Sequence, residues 1–209
     1  GIERQMDWGN LNANVRLNEQ SLSLNVRNLR DGYGRAAYRT ATNDFRAYGR
    51  LEMFIHAEGL YLNDGDFRAF VRVGTDDQYN YYQYDMPLKI TLPGTNDPEM
   101  IWPRENRMNI RISIFQEAKE ARNKATLNGQ PWPIDVPFTY FDGVNRVTVM
   151  GQPDISKVRF YMLGVMNPLR GSDVSSPGDD GLDKSGLFWF NELRLTDFDD
   201  KGGWAATAR

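Results

Sequence analysis

Residues 187–198, reading Leu-Phe-Trp-Phe-Asn-Glu-Leu-Arg-Leu-Thr-Asp-Phe, decide the fold. Their side chains alternate with the period of two that a β-strand imposes. Leu187, Trp189, Leu193 and Leu195 fall on one face; Phe188, Phe190, Glu192, Arg194 and Thr196 fall on the other. Over the first four residues both faces are apolar, which calls for cover on both sides. From Glu192 onward one face is polar and turns to water. The core face is therefore assigned to Trp189, Leu193 and Leu195. Asn191 falls on that face too, and a buried amide there must find hydrogen-bond partners. So long a strand near the end of the sequence needs earlier strands to cover it.

Those strands are legible upstream. Ser21 to Val26 alternates, with Leu22, Leu24 and Val26 on one side, and a short strand follows the Asp31-Gly32 turn through Ala36 to Thr40. Leu51, Met53, Ile55 and Ala57 line one face of the next. Asn63-Asp64-Gly65-Asp66 tolerates positive φ and predicts a hairpin. The returning strand places Phe67, Ala69, Val71 and Val73 inward with Arg68 and Arg72 outward. Tyr82 to Leu92 gives the longest alternation, and Pro87 on its polar side marks an edge or a bulge. Met108, Ile110, Ile112 and Ile114 form another strand. Ser113 and Gln116 then fit a capping box that opens a helix to about Lys124. Strands near 144–149 and 158–162 lead to a Gly/Ser/Asp/Pro-rich loop, Asn167 to Gly186, which reads as mobile.

Short alternating strands separated by turns, with one short helix, predict a mainly β protein: an antiparallel β-sandwich, jelly-roll-like. The organisation is a lead-in segment at 1–20, the sandwich at 21–198 and a linker at 199–209. A membrane barrel also alternates, but its strand ends carry aromatic girdles, which this sequence lacks.

Composition limits function. The chain has 209 residues, 40% of them hydrophobic, enough for one sizeable core. Lys and Arg number 25 against 28 Asp and Glu, so no basic excess points to nucleic acid. Cysteine is absent, which removes disulfides, thiolate metal sites and thiol nucleophiles. No apolar run is long enough for a membrane-spanning helix. The sequence opens at Gly1 without a signal peptide, so targeting information is missing or removed.

Candidate chemistry is thin. His56 is the single histidine; as a general base it would need a nucleophile, and no Gly-x-Ser-x-Gly surrounds any serine. Glycosidase chemistry needs two facing carboxylates, yet Glu52, Asp85 and Glu192 fall on mostly polar strand faces, where solvated surface explains them. Asp179, Asp180 and Asp183, with Asp173 upstream, offer oxygen ligands for calcium, although their spacing is not that of an EF-hand and a solvated loop is the plainer reading. Trp102, Trp132 and Tyr81 suggest a sugar-stacking platform, as in carbohydrate-binding modules, but both tryptophans flank prolines against which they can simply pack. The residues therefore assign no catalytic, cofactor or metal site.

Resemblance goes further. Phe190-Asn-Glu-Leu-Arg-Leu-Thr-Asp-Phe198, followed by Asp-Asp-Lys-Gly-Gly-Trp-Ala-Ala at 199–206, resembles a signature of the SprA (Sov) family. Arg50-Leu-Glu-Met-Phe-Ile-His-Ala-Glu58, Tyr81-Tyr-Gln-Tyr-Asp-Met-Pro-Leu88, Ile101-Trp-Pro103 and Ala121-Arg-Asn123 are similar to further family stretches, in order. The family comprises very large outer-membrane proteins of Bacteroidetes that form the translocon of the type IX secretion system and support gliding motility. The resemblance implies one excised domain of such a protein, with a pattern continuing past Arg209. It implies exposure to the periplasm or the cell exterior, and a structural or interaction role without catalysis. Its partners would be other domains of the same protein and secretion-system proteins. The alternatives are a carbohydrate-binding module or a sandwich glycosidase.

Overall fold

The computed structural model describes residues 21–171 and 179–198. The lead-in segment, the linker and Asp173 lie outside the described residues. The strands are β1 (Ser21–Leu29), β2 (Gly34–Asn43), β3 (Tyr48–Glu58), β4 (Arg68–Gly74), β5 (Tyr81–Pro87), β6 (Arg107–Arg111), β7 (Thr126–Leu127), β8 (Gln130–Pro131), β9 (Phe138–Asp142), β10 (Asn145–Met150), β11 (Val158–Met166) and β12 (Lys184–Phe198). A one-turn helix α1 (Pro98–Ile101) precedes β6, and α2 (Ser113–Lys124) follows it.

Every strand pair is antiparallel. One sheet has the order β1-β12-β3-β6, the other β2-β11-β4-β5-β10-β9, and β7-β8 is a small separate hairpin. Consecutive strands β1 to β4 alternate between the two large sheets, and β11 and β12 return to sit beside β2 and β1. That is the jelly-roll arrangement expected from the sequence. The insertion between β6 and β11 lengthens the larger sheet by β10 and β9.

Leu51, Met53, Ile55 and Ala57 of β3 and Met108 and Ile110 of β6 face Ala69, Val71 and Val73 of β4 and Val147 and Val149 of β10. All of these side chains are buried, as their alternation predicts. Helix α2 closes one end: Ile114, Phe115 and Ala118 are buried, and the Phe115 ring lies 5.1 Å from that of Tyr82.

Four local expectations are corrected. In β12 the core residues are Phe188 and Phe190, not Trp189, and Leu193 is 39% exposed. Glu192 adopts a left-handed φ of 56°, and pairing to β3 slips there: Asn191 faces Phe54 and Arg194 faces Glu52, leaving two residues opposite one. This bulge reverses the alternation, so Phe188 and Phe190 before it and Leu195 after it share the core face. Second, the turn at 63–66 does not close a hairpin. It carries the chain across the sandwich from β3 to β4, and the hairpin is β4–β5. Third, no capping box forms. Ile112 is the N-cap residue without a side-chain cap bond, and the Ser113 hydroxyl donates to Glu117 instead. Fourth, β12 begins at Lys184, inside the stretch read as loop.

Candidate functional site

The residues singled out for chemistry are dispersed. His56, on the outer face of β3, is 1% exposed. Its Nδ1 donates to the Ile101 carbonyl at 2.8 Å, its ring stacks on Trp189 at 4.4 Å, and the Trp102 ring sits at 6.1 Å. Nε2 is buried 3.4 Å from Glu58 without a hydrogen bond. The imidazole is a packed element under the α1 loop, out of reach of a substrate.

Asp85 is not solvated surface. It is 1% exposed on the outer face of β5, where its Oδ2 accepts from Arg68 Nε at 2.6 Å and Arg146 Nε at 2.8 Å. Arg68 is itself fully buried and donates to the Asp85 and Val144 carbonyls. Glu52 lies on the outer face of the opposite sheet, paired with Arg107 at 3.1 Å, and Glu192 is paired with Arg194 at 3.0 Å. Asp85 and Glu52 thus flank a whole sandwich, farther apart than two cooperating glycosidase carboxylates. Glu52 and Glu192 are each held by an arginine.

Among the described residues the calcium candidates do not converge either. Asp179 accepts from the Gly181 amide and Asp180 from the Leu182 amide. Asp180 also binds Lys184 at 2.7 Å, and Lys184 reaches Asp66 at 3.2 Å. The Lys184 hydrogen bond holds the Asp180 carboxyl below its ordinary pKa. No three acids or histidines are grouped there to hold a metal ion. Of the aromatic trio, Trp102 packs on His56 and Trp189. Trp132 packs on Phe138, donating Nε1–H to Val136, and Tyr81 lies under Arg72 at 4.0 Å. They form no common platform.

What the sequence did not reveal is a groove. β1 and β2 are the edge strands of the two sheets on the same side of the sandwich. The β1 register on β12 runs only as far as Ser21 opposite Asn191, so residues 192–198 of β12 have a described neighbour on the β3 side alone. Among the described residues, nothing covers the core between this half of β12 and β2. The groove has a volume of about 460 Å³ and is walled by Leu22, Ala37, Leu51, Tyr161, Leu163 and Leu195. Arg39, Leu193 and Arg194 stand at its rim. Burial raises the Tyr161 hydroxyl's pKa, and the hydrogen bond from Asn43 pulls the other way. Arg39 has no ion-pair partner among the described residues. The only sequence signal for the groove is β2 itself: ten residues with two arginines, three alanines, no acid and no proline.

Compared with known protein families, residues 1–209 match SprA_N, a family described as motility related/secretion protein. The chain belongs to the SprA_N family. No curated protein matches it. The family match spans the whole jelly roll, agrees with the signatures at 50–58 and 190–206, and is to a motility and secretion family rather than an enzyme family. Among the described residues no helix is long and apolar enough to cross a membrane.

Proposed function

We propose that this SprA_N chain is a non-enzymatic structural and interaction domain of a large outer-membrane protein of the type IX secretion system, exposed to the periplasm or the cell exterior. Its partners are other domains of the same protein and secretion-system proteins. The observation carrying this reading is where the candidate groups are spent. His56, Asp85, Glu52 and Glu192 are each engaged by the fold's own contacts, while among the described residues the apolar groove and one edge of β2 remain open to a partner. Family membership supplies the secretion and motility context.

Deleting residues 21–198 from the parent protein is expected to impair secretion or barrel assembly. Glu52→Gln and Glu192→Gln together are expected to leave secretion intact and to reveal no polysaccharide turnover in the parent. Arrest of secretion by this pair, with the folded protein accumulating normally, would overturn the reading.

A further inference from the structure

The geometry points to a binding site for an extended, acidic peptide strand: it adds to the free edge of β2 and lays its alternate aliphatic side chains into the groove beside Leu195. This inference rests on the reading of the chain as an interaction domain and names the chemistry of the partner.

Three features of the structure converge on that occupant. The first is the backbone. β2 bonds β11 along one edge, and along the other it pairs with no strand among the described residues, although β1 comes near it. A ten-residue edge without proline leaves a row of amide and carbonyl groups ready for a further strand. The two edges at the far side of the sandwich, β6 and β9, are only five residues long.

The second is the groove next to that edge. Ala37 and Arg39 pair with Leu163 and Tyr161 of β11, and all four line the open space. A strand running alongside β2 points every second side chain inward, toward Leu22, Leu51, Leu163 and Leu195. The small Ala37 and Ala41 leave room for those side chains. Leu193 and Leu195 would lose water on binding, the usual source of affinity at such a contact.

The third is charge. The chain as a whole carries a net charge of −3, but β2 carries Arg35 and Arg39 and no acid, and Arg39 lines the groove; Arg194 across it is already paired with Glu192. A second copy of β2 pairing with the first would bring like charges together, which disfavours self-association. A partner with glutamate or aspartate on its strand is favoured instead. An acyl chain would fill the groove but leave the edge amides of β2 unused, so the free edge favours a peptide.

The test uses the 209-residue chain and a fluorescein-labelled ten-residue peptide alternating leucine or valine with glutamate or threonine. Anisotropy should give saturable binding with a dissociation constant on the order of 100 µM or tighter. N-methylating one alternate set of peptide amides should abolish binding, and N-methylating the other set should spare it. Replacing the peptide leucines by serine should remove binding. Arg39→Glu should weaken binding by about tenfold, and a peptide with lysine in place of glutamate should recover it on that variant.

Several results would overturn the proposal: no saturable binding at millimolar peptide, equal binding of the serine peptide, or indifference to N-methylation in both sets. Displacement of the peptide by decanoate together with that indifference would assign the groove to an acyl chain. Hydrogen exchange showing the edge amides of β2 already protected in the free chain would mean the chain fills its own edge. Failed peptide binding alongside a 21–198 deletion that still blocks secretion would remove this inference and leave the proposed function standing.

Discussion

Asp85 is a small side chain whose loss the structure makes costly. Its carboxylate is 1% exposed and accepts from the fully buried Arg68 at 2.6 Å and from the 17% exposed Arg146 at 2.8 Å. Asp85→Asn keeps the shape but leaves two guanidinium groups facing each other, one of them with no access to water. Breaking a buried pair by neutralising one member costs about 3–5 kcal/mol. In a domain of this size each kcal/mol moves Tm by about 2–4 °C, so Tm should fall by roughly 6–20 °C. Arg146→Met should cost less, because Asp85 keeps Arg68 and the lost cation is partly solvated. The paired change Arg68→Met with Asp85→Leu should recover much of the loss, since it removes both buried charges. Urea unfolding at pH 7 in low and high salt measures all four proteins. Salt should not narrow the gap for Asp85→Asn, because screening acts on exposed charges. A cost below about 1 kcal/mol, or one that vanishes in salt, would mean that this face of β5 is wet and the assignment wrong.

Other tests are simpler. Phe188→Ala should cost about 3–5 kcal/mol, because the ring is fully buried and lies 4.7 Å from Phe67. Leu193→Ala at the groove rim should cost well under half of that in the same urea titration, and equal costs would refute the bulge at Glu192. Asp76 accepts from the Gln78, Tyr79 and Asn80 amides and from the Asn80 side chain. Burial opposes ionisation, but these hydrogen bonds outweigh it and hold the carboxyl below its ordinary pKa. A depressed folded-state pKa adds stability above the unfolded value, and that stability is lost as pH falls through the folded one. The advantage of wild type over Asp76→Asn should therefore shrink from about pH 4 downward; a gap that widened in acid would contradict it. Gly151→Ala should be destabilising by about 1–3 kcal/mol or more, because φ is 68° and a Cβ would run into the Tyr79 carbonyl.

The contrast between β3 and β12 shows how far sequence carries. In β3 the face of Leu51, Met53, Ile55 and Ala57 was legible because the strand pairs with β6 over 50–54 without a shift in register, and all four of those side chains are buried on one face. In β12 both faces are apolar at the start, so the pattern offered two assignments. The residue that chooses between them, Glu192, is a bulge whose left-handed φ no alternation reveals. Turn chemistry at 63–66 correctly marked a reversal but does not encode which sheet receives the next strand. Asp85 looked solvated because its neighbours along β5 are polar. Its burial comes from Arg68 on β4 and Arg146 on β10, 17 and 61 residues away. The groove was invisible for the same reason: its walls come from β1, β2, β3, β11 and β12, which lie far apart in the sequence.

The edges of the sandwich are unequally defended, and the inequality has a direction. β6 is five residues long, carries arginines at both ends and passes almost directly into α2. β9 is equally short, and α2 packs across it and β10. Short, charged or covered edges resist pairing with another chain. On the opposite side β2 is ten residues long and undefended by proline or acid, and among the described residues the core behind it is open at Leu195. An exposed edge of that length next to apolar surface is a liability for an isolated domain. A chain that keeps one while closing the other side is suited to having the gap filled. In a secretion protein the filler that matches both the free amides and the arginines is an acidic strand, and contact is then confined to the β1–β2 side. The outer faces offer no such opening: His56 is stacked under Trp189 on one, and Asp85 is held between arginines on the other.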